Sequence, residues 1–152
     1  MKRTIVVFTL TLLFAAVCLA QNSQLGTWKL NEAKSKIPAG ATKNHTVIYA
    51  PAGDNVKVTV EGTDASGKAV RQEWTGKMDG KFYPVTGDPT SDSRSYKKVN
   101  DRTLTMTAKQ GAKVTMTGRI VIAADGKTRT VTTTTTDAKG KKSNATVVYD
   151  KQ

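Results

Sequence analysis

One pattern constrains this chain more than any other. Apolar and polar side chains alternate residue by residue in short runs, and turns of one repeated chemistry cut the runs apart. Val56, Val58 and Val60 alternate with Lys57, Thr59 and Glu61. Val70, Gln72, Trp74 and Met78 share one side against Arg71, Glu73, Thr75 and Lys77. Leu104, Met106 and Ala108 oppose Thr103, Thr105 and Thr107, and Val114, Met116, Ile120 and Ile122 oppose Lys113, Thr115, Thr117 and Arg119. A period of two places one set of side chains on each face of a β-strand. Threonine and valine, which dominate, suit a pleated and half-buried surface.

The connections agree. Asp64-Ala65-Ser66-Gly67-Lys68, Asp79-Gly80-Lys81, Asp125-Gly126-Lys127 and Asp137-Ala138-Lys139-Gly140-Lys141 repeat one reversal. The aspartate caps its own turn and the glycine takes up a positive φ, which makes each a hairpin signal. Asn100-Asp101 and Gln110-Gly111 add two tight reversals. The sequence predicts ten strands, at 25–31, 43–50, 54–63, 69–78, 81–86, 93–99, 102–109, 112–123, 127–136 and 142–150. Short connections make consecutive strands neighbours, so the chain is an all-β, antiparallel up-and-down meander. Closing it into a barrel removes both sheet edges. A two-sheet β-sandwich built from the same hairpins stays open as the alternative.

The first twenty residues stand outside this pattern. Lys2 and Arg3 precede an apolar run from Ile5 to Val17, and Cys18-Leu19-Ala20 ends it with a small-x-small signature. This reads as a secretory signal peptide over 1–20, cleaved before Gln21, with an apolar run too short to span a membrane. Cys18 raises lipid attachment as a rival, but Val17 stands where lipoprotein signals carry a small residue. A single domain, 21–152, remains. The only cysteine leaves with the signal, so the mature chain has no thiol and no disulfide. Of 24 basic residues, Lys2 and Arg3 also leave, and 22 against 12 acidic residues give a net charge of +10. That charge suits an anionic envelope polymer or lipid. Lysines that keep a threonine-rich sheet soluble and guard its edges account for it more simply, since they are spread along the chain and form no block.

Gly26-Thr27-Trp28-Lys29 on the first strand resembles the Gly-x-Trp start of lipocalins and fatty-acid-binding proteins. The whole mature chain is similar to small secreted bacterial proteins of lipocalin-like, calycin type. The stretches that carry the likeness include "LGTWKLN", "TGKMDGKFYPVTGDP" and the closing "VVYDKQ". The resemblance implies a ligand-holding barrel with Gly26 and Trp28 as a structural floor. The segment 31–42 sits where those families place a lid, but is too short for two helices. In fatty-acid-binding proteins an arginine and a tyrosine on the last strand grip a carboxylate. Tyr149 matches the tyrosine, whereas Val147 occupies the arginine position. Arg129, on a face with Val131, Thr133 and Thr135, is a substitute if it points inward. On a basic protein an outward arginine is the expectation.

Other chemistry finds little support. His45 is the only histidine, with no cysteine and no evident acid partner, so the chain reads as a non-enzyme. No Cys/His set for zinc exists, and no metal or cofactor is expected. Asp88 and Asp92 lack the ligand count and glycine spacing of a calcium loop and read as a capped Pro-containing turn. Met78, Met106 and Met116 read as flexible core filler. Only Phe82, Tyr83 and Tyr96 offer stacking surfaces, so no nucleic-acid partner is expected.

The resulting expectation is a monomeric, exported bacterial protein, periplasmic or extracellular, with no transmembrane segment after cleavage. Its function would be non-catalytic carriage or sequestration of a small, largely apolar ligand. Inward faces rich in valine, threonine and methionine leave a ten-strand lumen unfilled. The expected contacts are Val58, Trp74, Met106, Met116 and Ile120 for the apolar body, with Tyr149 and Gln72 or Arg129 at the polar end. The alternative is a packed barrel that binds an anionic envelope component or a protein through its basic outside.

Overall fold

The structure, a computed structural model, describes residues 22–152. The signal-peptide reading of 1–20 and its junction at Gln21 lie outside the described residues. Ten strands appear in chain order: β1 Gly26–Leu30, β2 Lys43–Ala52, β3 Asn55–Thr63, β4 Ala69–Gly76, β5 Asp79–Thr86, β6 Ser93–Asn100, β7 Thr103–Gln110, β8 Lys113–Ile122, β9 Thr128–Thr136 and β10 Lys142–Lys151. Each pairs antiparallel with its chain neighbours, and β10 returns to β1 with Trp28 opposite Lys151 and Leu30 opposite Tyr149. The barrel is closed, so the sandwich alternative falls. Between β1 and β2 lies one turn of 3-10 helix, Glu32–Lys34, where the Asn31 side chain accepts the Lys34 N–H. No helix among the described residues is long and apolar enough to cross a membrane.

Bulges decide which side chains turn inward. On β8, Ala108 pairs with Met116 while Lys109 pairs with Val114, which makes Thr115 an extra residue. The bulge resets the alternation. Val114, expected on the inner face, is therefore outward and 41% exposed. On β2 the extra residue is His45, set between the Asn44–Gly62 and Thr46–Glu61 pairs. Its ring is exposed and lies 2.9 Å from the Thr63 hydroxyl. β4 and β5 pair only at Glu73–Thr86 and Trp74–Val85. Beyond that point the two strands part, and the Tyr83 ring stands edge-on to Trp74, 5.8 Å between centroids.

The interior has two halves. At the end that carries the β2–β3, β4–β5, β6–β7 and β8–β9 turns, Trp28, Val58, Trp74, Leu104 and Ile122 are buried, with Val56, Met78 and Tyr83 packed beside them. Each such side chain contributes about 1.5–3 kcal/mol of apolar burial. Trp28 closes this floor completely, and its indole N–H donates to the Gln24 carbonyl at 2.9 Å. Gly26, at φ +120, leaves space that the Lys151 side chain fills; a Cβ there would stand 3.0 Å from Lys151 Cε. The opposite half is hollow.

Candidate ligand cavity

The hollow half is a cavity of about 790 Å³, within the range of small-molecule sites. Its mouth is formed by the 31–42 connection through Ile37 and Pro38, the β5–β6 loop through Asp88 and Pro89, and the β7–β8 and β9–β10 turns. Val47, Val60, Met106, Met116, Ile120 and Val147 supply apolar wall from five strands. They meet there because inward positions of neighbouring strands stack across a closed barrel.

Two arginines interrupt this wall. Arg94, on β6, is buried, and its Nη2 donates to Asp88 Oδ2 at 2.8 Å and to Gln72 Oε1 at 2.9 Å. Both members of the ion pair expose only 6% of their side chains. Asp88 is held by its own turn, since its Oδ1 accepts the Thr90 N–H and hydroxyl and its Oδ2 accepts the Ser91 hydroxyl. Burial alone would raise this carboxyl. The hydrogen bonds from Ser91 and Thr90 and the Arg94 charge outweigh it and hold Asp88 below the usual carboxylate range.

Arg129 has a different setting. It is 2% exposed on β9, opposite Tyr149 of β10. Its guanidinium carbon lies 4.7 Å from the Trp28 ring centroid, 4.9 Å from Tyr49 and 5.0 Å from Tyr149. Attraction to ring faces favours a cation here. No acidic side chain of the described residues is within ion-pair distance of it. Its buried Nε and Nη1 have no hydrogen-bond partner. Burial pushes the Tyr149 phenol up to about 12 and Tyr49 higher still, against the lowering effect of Arg129. Both hydroxyls therefore remain protonated donors at neutral pH.

The expected site residues divide between the two halves. Gln72, Met106, Met116, Ile120, Arg129 and Tyr149 line the cavity. Val58 and Trp74 instead belong to the packed end, where Trp74 donates to the Arg94 carbonyl at 2.9 Å. The direction of Arg129 corrects the expectation of an outward side chain: three rings from β1, β2 and β10 accommodate its charge inside. Sequence reading missed Arg94, Asp88 and Tyr49 as lining residues. The Arg94–Tyr96 alternation on β6 carried a signal, because both positions share the inner face. Tyr96 is 2% exposed and offers no outer stacking surface, while Phe82 is 40% exposed beneath Lys109 Nζ at 4.0 Å. No group of three or more His, Cys, Asp or Glu side chains among the described residues is placed to hold a metal ion.

No family model matches the chain, and no curated protein does. Among solved structures it is similar to a redesigned beta barrel, mFAP1, bound to DFHBI. The two are 17% identical, the match covers 87% of this chain and 97% of that one, and the TM-score is 0.47. At that level the likeness says nothing about what this cavity holds. The fold rests on the barrel's own closed register.

Proposed function

We propose that this chain is an exported, non-catalytic binding protein of lipocalin-like type. It carries or sequesters one small, largely apolar molecule in the barrel lumen, in the periplasm or outside a bacterial cell. The observation that carries the reading is the cavity of about 790 Å³, with apolar wall from Val47, Val60, Met106 and Ile120 and with polar groups that include Asn44, Gln72, Arg94, Arg129 and the threonines of β9. Such a cavity buries an apolar body and orients one polar end. Export rests on the Lys2–Ala20 pattern and the lipocalin-like resemblance on the Gly26-Thr27-Trp28 start.

The test is native mass spectrometry of residues 21–152 purified from the secreting host, compared with the denatured mass. An extra mass that disappears on denaturation supports the carrier. A bare native mass, repeated after incubation with host lipid extract, refutes it. Sodium chloride separates lumen binding from attachment through the basic outside, because exposed charges are screened at high salt and buried contacts far less.

A further inference from the structure

The polar end of the cavity contains two guanidinium groups, and only one has a counter-ion. Asp88 cancels the charge of Arg94. Arg129 has ring faces around it and no acid of the described residues beside it. The other charged groups of the lining, Lys113 and Asp137, sit at the mouth and are engaged at the β9–β10 turn. Lys113 Nζ donates to the carbonyls of Asp137 and Ala138, and the Asp137 carboxylate accepts the Lys139 and Lys141 N–H groups. Burial holds the Tyr49 and Tyr149 phenols of the wall above their ordinary value, so they stay neutral at physiological pH. The deep lumen thus holds an uncompensated single positive charge, and Nε and Nη1 of Arg129 lack an acceptor; Arg94 Nε lacks one too, although the Arg94 charge is paired with Asp88. Rings attract a cation but accept no hydrogen bond as strong as an anion's oxygen does.

We infer that the lumen selects an amphipathic ligand bearing one negative charge, whose anionic group meets Arg129, and that Asp88 sets this charge class by neutralising Arg94. The inference rests on the carrier reading above and adds to it the chemistry of the ligand's head. Asp88 acts as a built-in anion: it fills the second arginine from the β5–β6 loop, so a doubly charged head finds only one free cation. Removal of that carboxylate leaves Arg94 buried and unpaired, and a second ligand charge then becomes favourable.

Three probes share one tail and differ only in the head: decanol, decyl sulfate and decyl phosphate. They are titrated calorimetrically into the mature protein near pH 8, where a phosphate monoester has lost its second proton, with a pKa of about 6. Wild type should bind decyl sulfate about ten-fold or more tighter than decanol, and tighter than decyl phosphate. Arg129→Met should abolish the advantage of decyl sulfate over decanol, whereas Arg119→Gln, on the outer face of β8, should leave it intact. Asp88→Asn should shift preference from sulfate towards phosphate by about ten-fold. That is a gain, which misfolding cannot imitate, and the wild-type ratio needs no variant at all. Equal wild-type affinities for decanol and decyl sulfate would overturn the inference yet leave the carrier standing. So would an unchanged ratio in Arg129→Met, or an unchanged phosphate-to-sulfate ratio in Asp88→Asn. Failure of all three probes to bind would refute lumen binding itself.

Discussion

Gly87 joins the end of β5 to the loop that carries Asp88 over the cavity mouth, and its replacement by alanine tests how firmly that loop is held. Its φ is +73, and a Cβ there would lie 1.9 Å from the Arg71 carbonyl oxygen and 3.4 Å from Gln72 Cα. Gly140, in the β9–β10 turn, has a similar φ of +83 but meets nothing within 4 Å. The two substitutions share the left-handed strain, about 1–2 kcal/mol for an L-residue. They also share the loss of unfolded-chain freedom that partly offsets it. Only at 87 must the loop also move, by more than about 1 Å, to restore an ordinary carbon–oxygen contact. Asp88 is the next residue, so that movement loosens its buried pair with Arg94. Loss of one partner from such a pair costs about 3–5 kcal/mol. Gly140→Ala should therefore cost about 1 kcal/mol and Gly87→Ala about 3–5 kcal/mol. At about 4 °C per kcal/mol for a domain of this size, the second is a drop of roughly 12–20 °C in Tm. Urea and thermal unfolding followed by tryptophan fluorescence suit the measurement, since Trp28 and Trp74 are both buried. Equal costs, within about 0.5 kcal/mol, would show that the loop yields freely and refute the reasoning.

Three further outcomes follow from the same geometry. Because Asp88 is held below its unfolded pKa of about 3.9, its stabilisation is present above that pH and lost as pH falls through the folded value. Acid unfolding of Asp88→Asn should accordingly show a shallower decline below about pH 4 than wild type; parallel curves would remove Asp88 from the acid response. Tyr149 and Tyr49 are raised above an unfolded value of about 10, so the stability they contribute is complete below that pH and lost as pH rises beyond it. Tyr149→Phe should flatten part of the loss between about pH 10 and 12, as read from unfolding midpoints in alkaline buffer. Leu104→Ala, in the packed end, should cost about 2–5 kcal/mol. Met116→Ala, beside the cavity, should cost about 1 kcal/mol because fewer partner atoms surround it. Equal urea midpoints for the two would mean that the barrel is packed evenly.

Much of the fold was legible because its signals are local. Alternation and Asp/Gly turns place all ten strands within two residues of their observed ends, and the shortness of the turns makes the neighbours. Where prediction of facing failed, the cause was also physical. A bulge at Thr115 inverts the phase at Val114, and no residue type there announces it. On β9, hydroxyl side chains occupy both faces, so the pattern cannot tell which side of the barrel receives Arg129.

The sequence by itself determined strand number, order and pairing, since hydrophobic alternation and turn chemistry act over a few residues. Tertiary closure decided which end is packed and which is hollow, because that depends on where Trp28 and Trp74 fall around the ring. It also decided that Arg129 is an inner cation and that Arg94 is not a free one. A guanidinium can be buried only where rings or a carboxylate meet it, and those partners come from strands far apart in the chain.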